Sequence, residues 1–246
     1  MPATGYPRPV PEAIRPATPD EELLGAERPA VVTERTEDER LERIRDELVT
    51  GYAALGGLGC AVSVFGSART PADHPDYALA RDTARRLGDA GFAVITGGGP
   101  GIMEAANRGA KEAGVTSVGL NIDLPFEQGA NAYQDIELRF HYFFTRKVMF
   151  VRYASAFVVF PGGFGTLDEL FEALVLIQTD KIRHFPVILV GTSYWAGLTD
   201  WIRERLVADG MIAASDADLL TVTDDPDEVV AHVRAGARRQ GIQRAA

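Results

Sequence analysis

The stretch Pro161-Gly-Gly-Phe-Gly-Thr-Leu-Asp-Glu169 decides the reading of the fold, because it follows the apolar run Ala156-Phe-Val-Val-Phe160 and opens an amphipathic segment. A buried strand that ends in glycines and turns straight into a helix gathers free backbone N–H groups and the positive helix end at one point, where a phosphate can sit. The same stretch carries Thr166 and Glu169 at the spacing of a capping box. There the threonine caps the N3 amide and the glutamate reaches back to the cap N–H, for helix stability alone, worth roughly 0.5–2 kcal/mol. Residue types leave both readings open.

Around this stretch, short β-branched runs alternate with helical segments from Cys60 onward, the pattern of βαβ units and a parallel sheet. The predicted strands cover 61–65, 92–96, 117–122, 156–160, 187–190 and 219–222, with helices at about 76–90, 101–113, 141–154, 166–179, 194–208 and 226–237. Six strands with crossovers predict an α/β fold, a doubly wound parallel sheet (Rossmann-like), whose ligands bind beyond the C-terminal strand ends at the switch point. Segment 123–140 reads as a long connection with weak periodicity, and such loops in compact α/β folds are often functional. Residues 1–35 hold seven of the fourteen prolines and read as a disordered tail. Leu41, Ile44, Leu48 and Tyr52 predict an N-terminal helix over 36–55, packed on the sheet or on a partner, so that 36–246 form a single domain.

With 46% hydrophobic and 24% charged residues among 246, the chain suits one large core. A net charge of −10 without a dense Lys/Arg block disfavours nucleic acid as a partner, since backbone binding requires many neutralised phosphates. A lone Cys60 excludes an internal disulfide and a cysteine metal cluster, and His74, His141, His184 and His232 show no ligand spacing, so no metal is expected. A reducing cytoplasm fits. No export signal and no run of about 18 apolar residues appears, so no membrane span is expected.

Two further stretches bear on chemistry. Gly97-Gly-Gly-Pro-Gly101 stands where the second strand enters its helix; Gly97, Gly98 and Gly99 either cradle a phosphate or allow close strand–helix packing. As a dinucleotide fingerprint it fails, because Ile102 occupies the third glycine position, and the chain has no Gly-Lys-Ser/Thr loop. Arg146-Lys147 lies between Phe143-Phe144 and Val148-Met149-Phe150, an apolar neighbourhood in which one cation should face an anion. The alternative is two solvated charges with snorkelling stems.

Arg146-Lys147, followed 23 positions after the arginine by the glutamate of Pro-Gly-Gly-x-Gly-Thr-x-x-Glu, resembles the Lonely Guy (LOG) family, cytokinin riboside 5′-monophosphate phosphoribohydrolases with the older label lysine decarboxylase. The resemblance covers about 60–210, including the triple-glycine turn with Met103. It implies that Arg146 and Glu169 are catalytic and that Lys147, Gly162, Gly163, Phe164, Gly165 and Thr166 contact the nucleotide, with Glu127 matching a nucleotide-contacting glutamate and Gly97, Gly98, Gly99 and Met103 beside them. Many members have glycine and threonine where this chain has Glu104 and Val175, positions expected to line the pocket. The implied reaction is hydrolysis of the N-glycosidic bond of an AMP-like nucleoside 5′-monophosphate, without cofactor, by a homodimer or larger homo-oligomer. The other class of function implied is a nucleotide or molybdenum-cofactor carrier without catalysis. A pyridoxal-dependent decarboxylase needs a Schiff-base lysine beside a phosphate site; Lys147 and Lys111 are the only lysines near these motifs.

Overall fold

The computed structural model describes residues 15–26, 28, 31–124, 129–182 and 185–241; Glu127, His184 and the first fourteen residues of the proline-rich stretch lie outside them. In chain order the elements are α1 (Pro19–Gly25), α2 (Glu37–Leu55), β1 (Ala61–Phe65), α3 (Pro75–Asp89), β2 (Ala93–Thr96), α4 (Ile102–Glu112), β3 (Ser117–Ile122), β4 (Ile136–Phe140), α5 (Phe143–Tyr153), β5 (Phe157–Val159), α6 (Phe164–Gln178), β6 (Val187–Val190), α7 (Thr192–Trp201), α8 (Ala214–Ala217), β7 (Leu220–Thr223) and α9 (Pro226–Arg239). Past Trp201 the α7 helix runs on as one π-helical turn, Ile202–Val207.

The strands form a seven-stranded sheet in the order β4-β3-β2-β1-β5-β6-β7, and every neighbouring pair is parallel. The chain builds outward from β1 to β4, then returns to lay β5 on the other side of β1, so the winding reverses between β1 and β5. Central strands are buried along their whole length, as expected when helices cover both faces. Val62 and Val64 of β1 pack with Ala80, Ala84 and Leu87 of α3 and Ile102 of α4 on one face. Ala61 and Phe65 turn to the other face, against Met149 and Phe150 of α5 and Leu170 of α6. Each fully buried aliphatic or aromatic side chain of this kind contributes about 1.5–3 kcal/mol. Ser63 of β1 is buried too, and its hydroxyl donates to the Phe150 carbonyl at 3.1 Å, so the polar atom is satisfied where α5 crosses the sheet.

One expectation needs correction. The connection 123–140 contains a seventh strand: β4 pairs with β3 from Val118↔Ile136 to Ile122↔Phe140. It is an edge strand in which Leu138 and Phe140 are buried while Glu137 and Arg139 face out, so its polar half masked it in the sequence. Within the stretch read as disordered, α1 is capped by Thr18, and Glu22 is buried. Glu22 accepts from the backbone N–H groups of Glu34 and Arg35 and pairs with the Arg35 guanidinium at 3.0 Å. These contacts tie the described part of that stretch to the start of α2. Among the described residues no helix is long and apolar enough to cross a membrane.

Candidate active site

A cavity of about 1290 Å³ opens beyond the C-terminal ends of β1 and β5, at the reversal of winding. It is lined by the turn 161–167 that starts α6 and by the loop after β1, from Gly66 to Thr70. The backbone N–H of Ser67 donates to the Pro161 carbonyl at 2.9 Å, which fastens the two turns to each other. Tyr194 of α7 donates its phenolic hydrogen to the Gly162 carbonyl at 2.6 Å and holds that turn from the side.

The helix does not begin where the sequence suggested. Its cap is Gly163, with φ −92° and ψ −155° and no side-chain cap bond, so Phe164 is its first residue and Thr166 stands inside the first turn. Thr166 therefore caps nothing, and Glu169 has no cap N–H to reach; the capping-box reading fails here. The leading N–H groups of α6 have no intrahelical partner and open on the cavity. A side chain at Gly162 would collide with Thr166, which explains a glycine at that point in the turn.

Arg146 and Glu169 line the same cavity from α5 and α6. Arg146 makes no ion pair among the described residues, and its buried Nε lacks a hydrogen-bond partner. Its guanidinium lies over the Phe150 ring, 5.1 Å from the centroid, and that ring is wedged edge-on against Phe65 at 4.9 Å. Any side chain at Gly97 would occupy the place of the Arg146 guanidinium and the Met103 sulfur. Burial pulls the Arg146 pKa down to about 10, against the opposing pull of Glu169, so the group stays cationic at neutral pH. Glu169 is 7% exposed and its Oε2 is buried without a partner. Burial raises its pKa to about 7, and the cations of Lys147 and Arg146 hold it from rising further. The site thus pairs a permanent cation with a carboxyl that is part protonated and part ionised near pH 7.

Of the other residues expected at the site, Gly97, Met103, Gly162, Gly163, Phe164, Gly165 and Thr166 line this cavity. Gly98 and Gly99 do not. Their carbonyls are tied from behind by the Asn131 side-chain amide at 3.0 and 2.9 Å, and Gly98, at φ +74°, lies where a side chain would strike Asn121. Lys147 is not among the lining residues, and its ammonium sits on Asp168, which lines the cavity, at 2.8 Å and on Glu172 at 2.9 Å. Glu104 accepts from the Tyr77 hydroxyl at 2.9 Å, and Val175 is exposed on the surface of α6, so neither lines the cavity. Lys111 pairs with Asp135. No lysine lines the cavity among the described residues, and the donor set does not fit a Schiff-base cofactor. The sequence reading passed over Ser67, Arg69, Thr70, His74, Ser193 and Tyr194, all at the cavity wall. The signal for the first three was available: Gly66-Ser67 directly follows the first strand of a doubly wound sheet.

A switch-point cleft with a glycine-rich helix start on one side and a buried guanidinium and carboxyl on its floor defines a ligand-binding α/β protein of the Rossmann-like class. The chain belongs to the family described as possible lysine decarboxylase, whose profile matches residues 103–233, and thus to the LOG family. A probable cytokinin riboside 5′-monophosphate phosphoribohydrolase, LOG4 of Oryza sativa subsp. japonica, is 25% identical over 196 residues, 77% of this chain and 84% of the rice protein. A pyrimidine/purine nucleotide 5′-monophosphate nucleosidase of Escherichia coli (strain K12) is 31% identical over 133 residues, 47% of this chain and 28% of that enzyme. The chain likewise spans 34% of a further rice phosphoribohydrolase. Among solved structures, the molybdenum cofactor carrier protein of Chlamydomonas reinhardtii shares the fold at TM-score 0.56 and 23% identity, over 73% of this chain and 99% of the carrier.

Proposed function

We propose that this protein hydrolyses the N-glycosidic bond of a nucleoside 5′-monophosphate, AMP or an N6-substituted AMP such as a cytokinin precursor, to free base and ribose 5-phosphate. One observation carries the reading: Arg146 and Glu169, each with a buried polar atom that has no hydrogen-bond partner among the described residues, line one cavity beside the leading amides of a helix start. Orphaned buried polar atoms are costly, and a ligand that supplies their partners explains them. The names of the rice and bacterial relatives point to the same bond.

The 5′-phosphate sits on the amides of Gly163 to Thr166 and the Thr166 hydroxyl, remote binding energy that favours the monophosphate over the nucleoside. Water adds across the C1′–N bond. Its oxygen bonds to C1′ as the base departs, and its proton passes through the Glu169 carboxylate to the leaving nitrogen. The ionised carboxylate also stabilises the oxocarbenium-like transition state. Arg146, a forked cation that does not give up its proton at neutral pH, clamps phosphate or leaving base. Because only ionised Glu169 serves, kcat/KM rises with pH along a limb whose midpoint lies near the free enzyme's value of about 7.

The protein acts in the cytoplasm as a homodimer or larger assembly; exposed Leu41, Phe143, Phe144, Val148 and Val175 supply apolar contact surface, and light scattering measures the state. The deciding assay is base release from AMP, N6-substituted AMP and adenosine, followed by chromatography. Release from the monophosphates that vanishes in Glu169→Gln supports the reading. Calorimetric binding of AMP with no base released over hours sinks it and leaves a nucleotide-binding protein.

A further inference from the structure

Arg146 and Glu169 stand on different helices and do not hold each other: neither makes a hydrogen bond or ion pair to the other among the described residues. What links the helices is the residue beside each. Lys147, next to Arg146, reaches from α5 to Asp168, next to Glu169, and one turn further to Glu172. These are the polar contacts between α5 and α6 among the described residues. The lysine side chain is 15% exposed and lies outside the cavity lining. The ammonium is shared between two carboxylates whose side chains are 54% and 37% exposed, so the pair adds little net stability, and what it contributes is a fixed reach between α5 and α6.

We infer that Lys147 is a positioning residue, whose ammonium braces α6 against α5 through Asp168 and Glu172 and so sets Glu169 relative to Arg146. Two consequences separate this from a ligand contact. The brace fixes geometry, so its loss reduces turnover more than affinity. It also places a cation near Glu169. The charged groups facing Glu169 are Lys147 and Arg146 from α5 and Asp168 and Glu172 on its own helix, while Arg69, His74 and Asp76 line the same cavity from the β1 side. Lys147 is the strongest of the influences that keep the Glu169 carboxylate ionised, ahead of Arg146. Burial works against the lysine's own charge, but the hydrogen bonds it donates to Asp168 and Glu172 outweigh it and hold its pKa above the ordinary value.

The kinetic arm of the test rests on the hydrolase reading; a second arm does not. In base release from AMP, Lys147→Met is expected to lower kcat about tenfold or more, leave KM within about twofold, and move the acid limb of kcat/KM upward by roughly one pH unit. Lys147→Arg, which keeps the bridge, recovers most of the loss. A KM raised tenfold with the limb unmoved makes Lys147 a nucleotide contact and overturns the inference. Independently of activity, urea unfolding of the Glu169 and Glu169→Gln proteins across pH 4–9 reports the Glu169 titration as the midpoint of their stability difference. That midpoint is expected to rise in the Lys147→Met background. An unchanged midpoint overturns the inference whether or not any nucleotide is hydrolysed, whereas absent hydrolysis with a raised midpoint sinks only the functional reading. Should Lys147→Met not fold, Lys147→Gln retains reach without charge and is judged by the same midpoint.

Discussion

The pattern Thr-x-x-Glu occurs at the start of three helices, α1, α2 and α6, and it does different things at α2 and α6. At α2, Thr36 is the cap: its hydroxyl accepts from the Glu39 N–H at 3.3 Å, and Glu39 returns to the Thr36 N–H at 2.7 Å. The hydrogen bonds that the Thr36 N–H and hydroxyl donate to the Glu39 carboxylate hold its pKa below the ordinary carboxylate value. At α6 the helix starts two residues before the threonine, because Gly162 and Gly163 bend the chain early, and Glu169 is carried into the wall of a cavity with its Oε2 unpaired and its pKa near 7. The four-residue pattern is the same; the position of the preceding bend decides whether the carboxylate stabilises a helix or is left free for a ligand.

Mutations can break this contrast. The largest effect is expected for Glu169→Gln, which should lower base release from AMP by about 10²–10⁴-fold, while Glu39→Gln leaves it unchanged. Next, Arg146→Met should cost about 10²–10³-fold in kcat with the fold retained by circular dichroism, through loss of a preorganised cation. The pH dependence of stability should differ in sign. A carboxyl whose pKa is raised from 4.5 to about 7 binds its proton more tightly when folded, so its contribution is present at low pH and is lost as pH rises from about 4.5 to 7. Glu169→Gln should therefore be more stable than wild type above pH 7, by up to roughly 3 kcal/mol in urea unfolding. Glu39, with a lowered value, contributes above the ordinary carboxylate range and loses its contribution as pH falls. The smallest effect is the cap itself. Thr36→Ala should cost about 1 kcal/mol with activity intact, whereas Thr166→Ala removes no cap and should appear in KM.

Much of the fold could be read from the chain because buried parallel strands are short segments rich in β-branched and other apolar residues: 61–65, 117–122 and 187–190 match their observed limits. β4 was missed because an edge strand shows only half its residues to the core, here Leu138 and Phe140. The site was legible in its residue types and spacing but not in its orientations. Whether Lys147 points at a ligand or across to α6, and whether Gly98 faces a cavity or Asn121, depends on contacts between segments distant in sequence. The capping question had the same origin, since it turned on where a bend falls, and a threonine and a glutamate do not encode that alone.

The reversal of winding between β1 and β5 divides the cavity by chain segment. The groups proposed for bond cleavage ride on α5 and α6, around β5, whereas Ser67, Arg69, Thr70 and His74 come from one short loop after β1. The two walls belong to separate stretches of gene, so a loop exchange at 67–74 alters one wall of the cavity and leaves the residues proposed for bond cleavage in place.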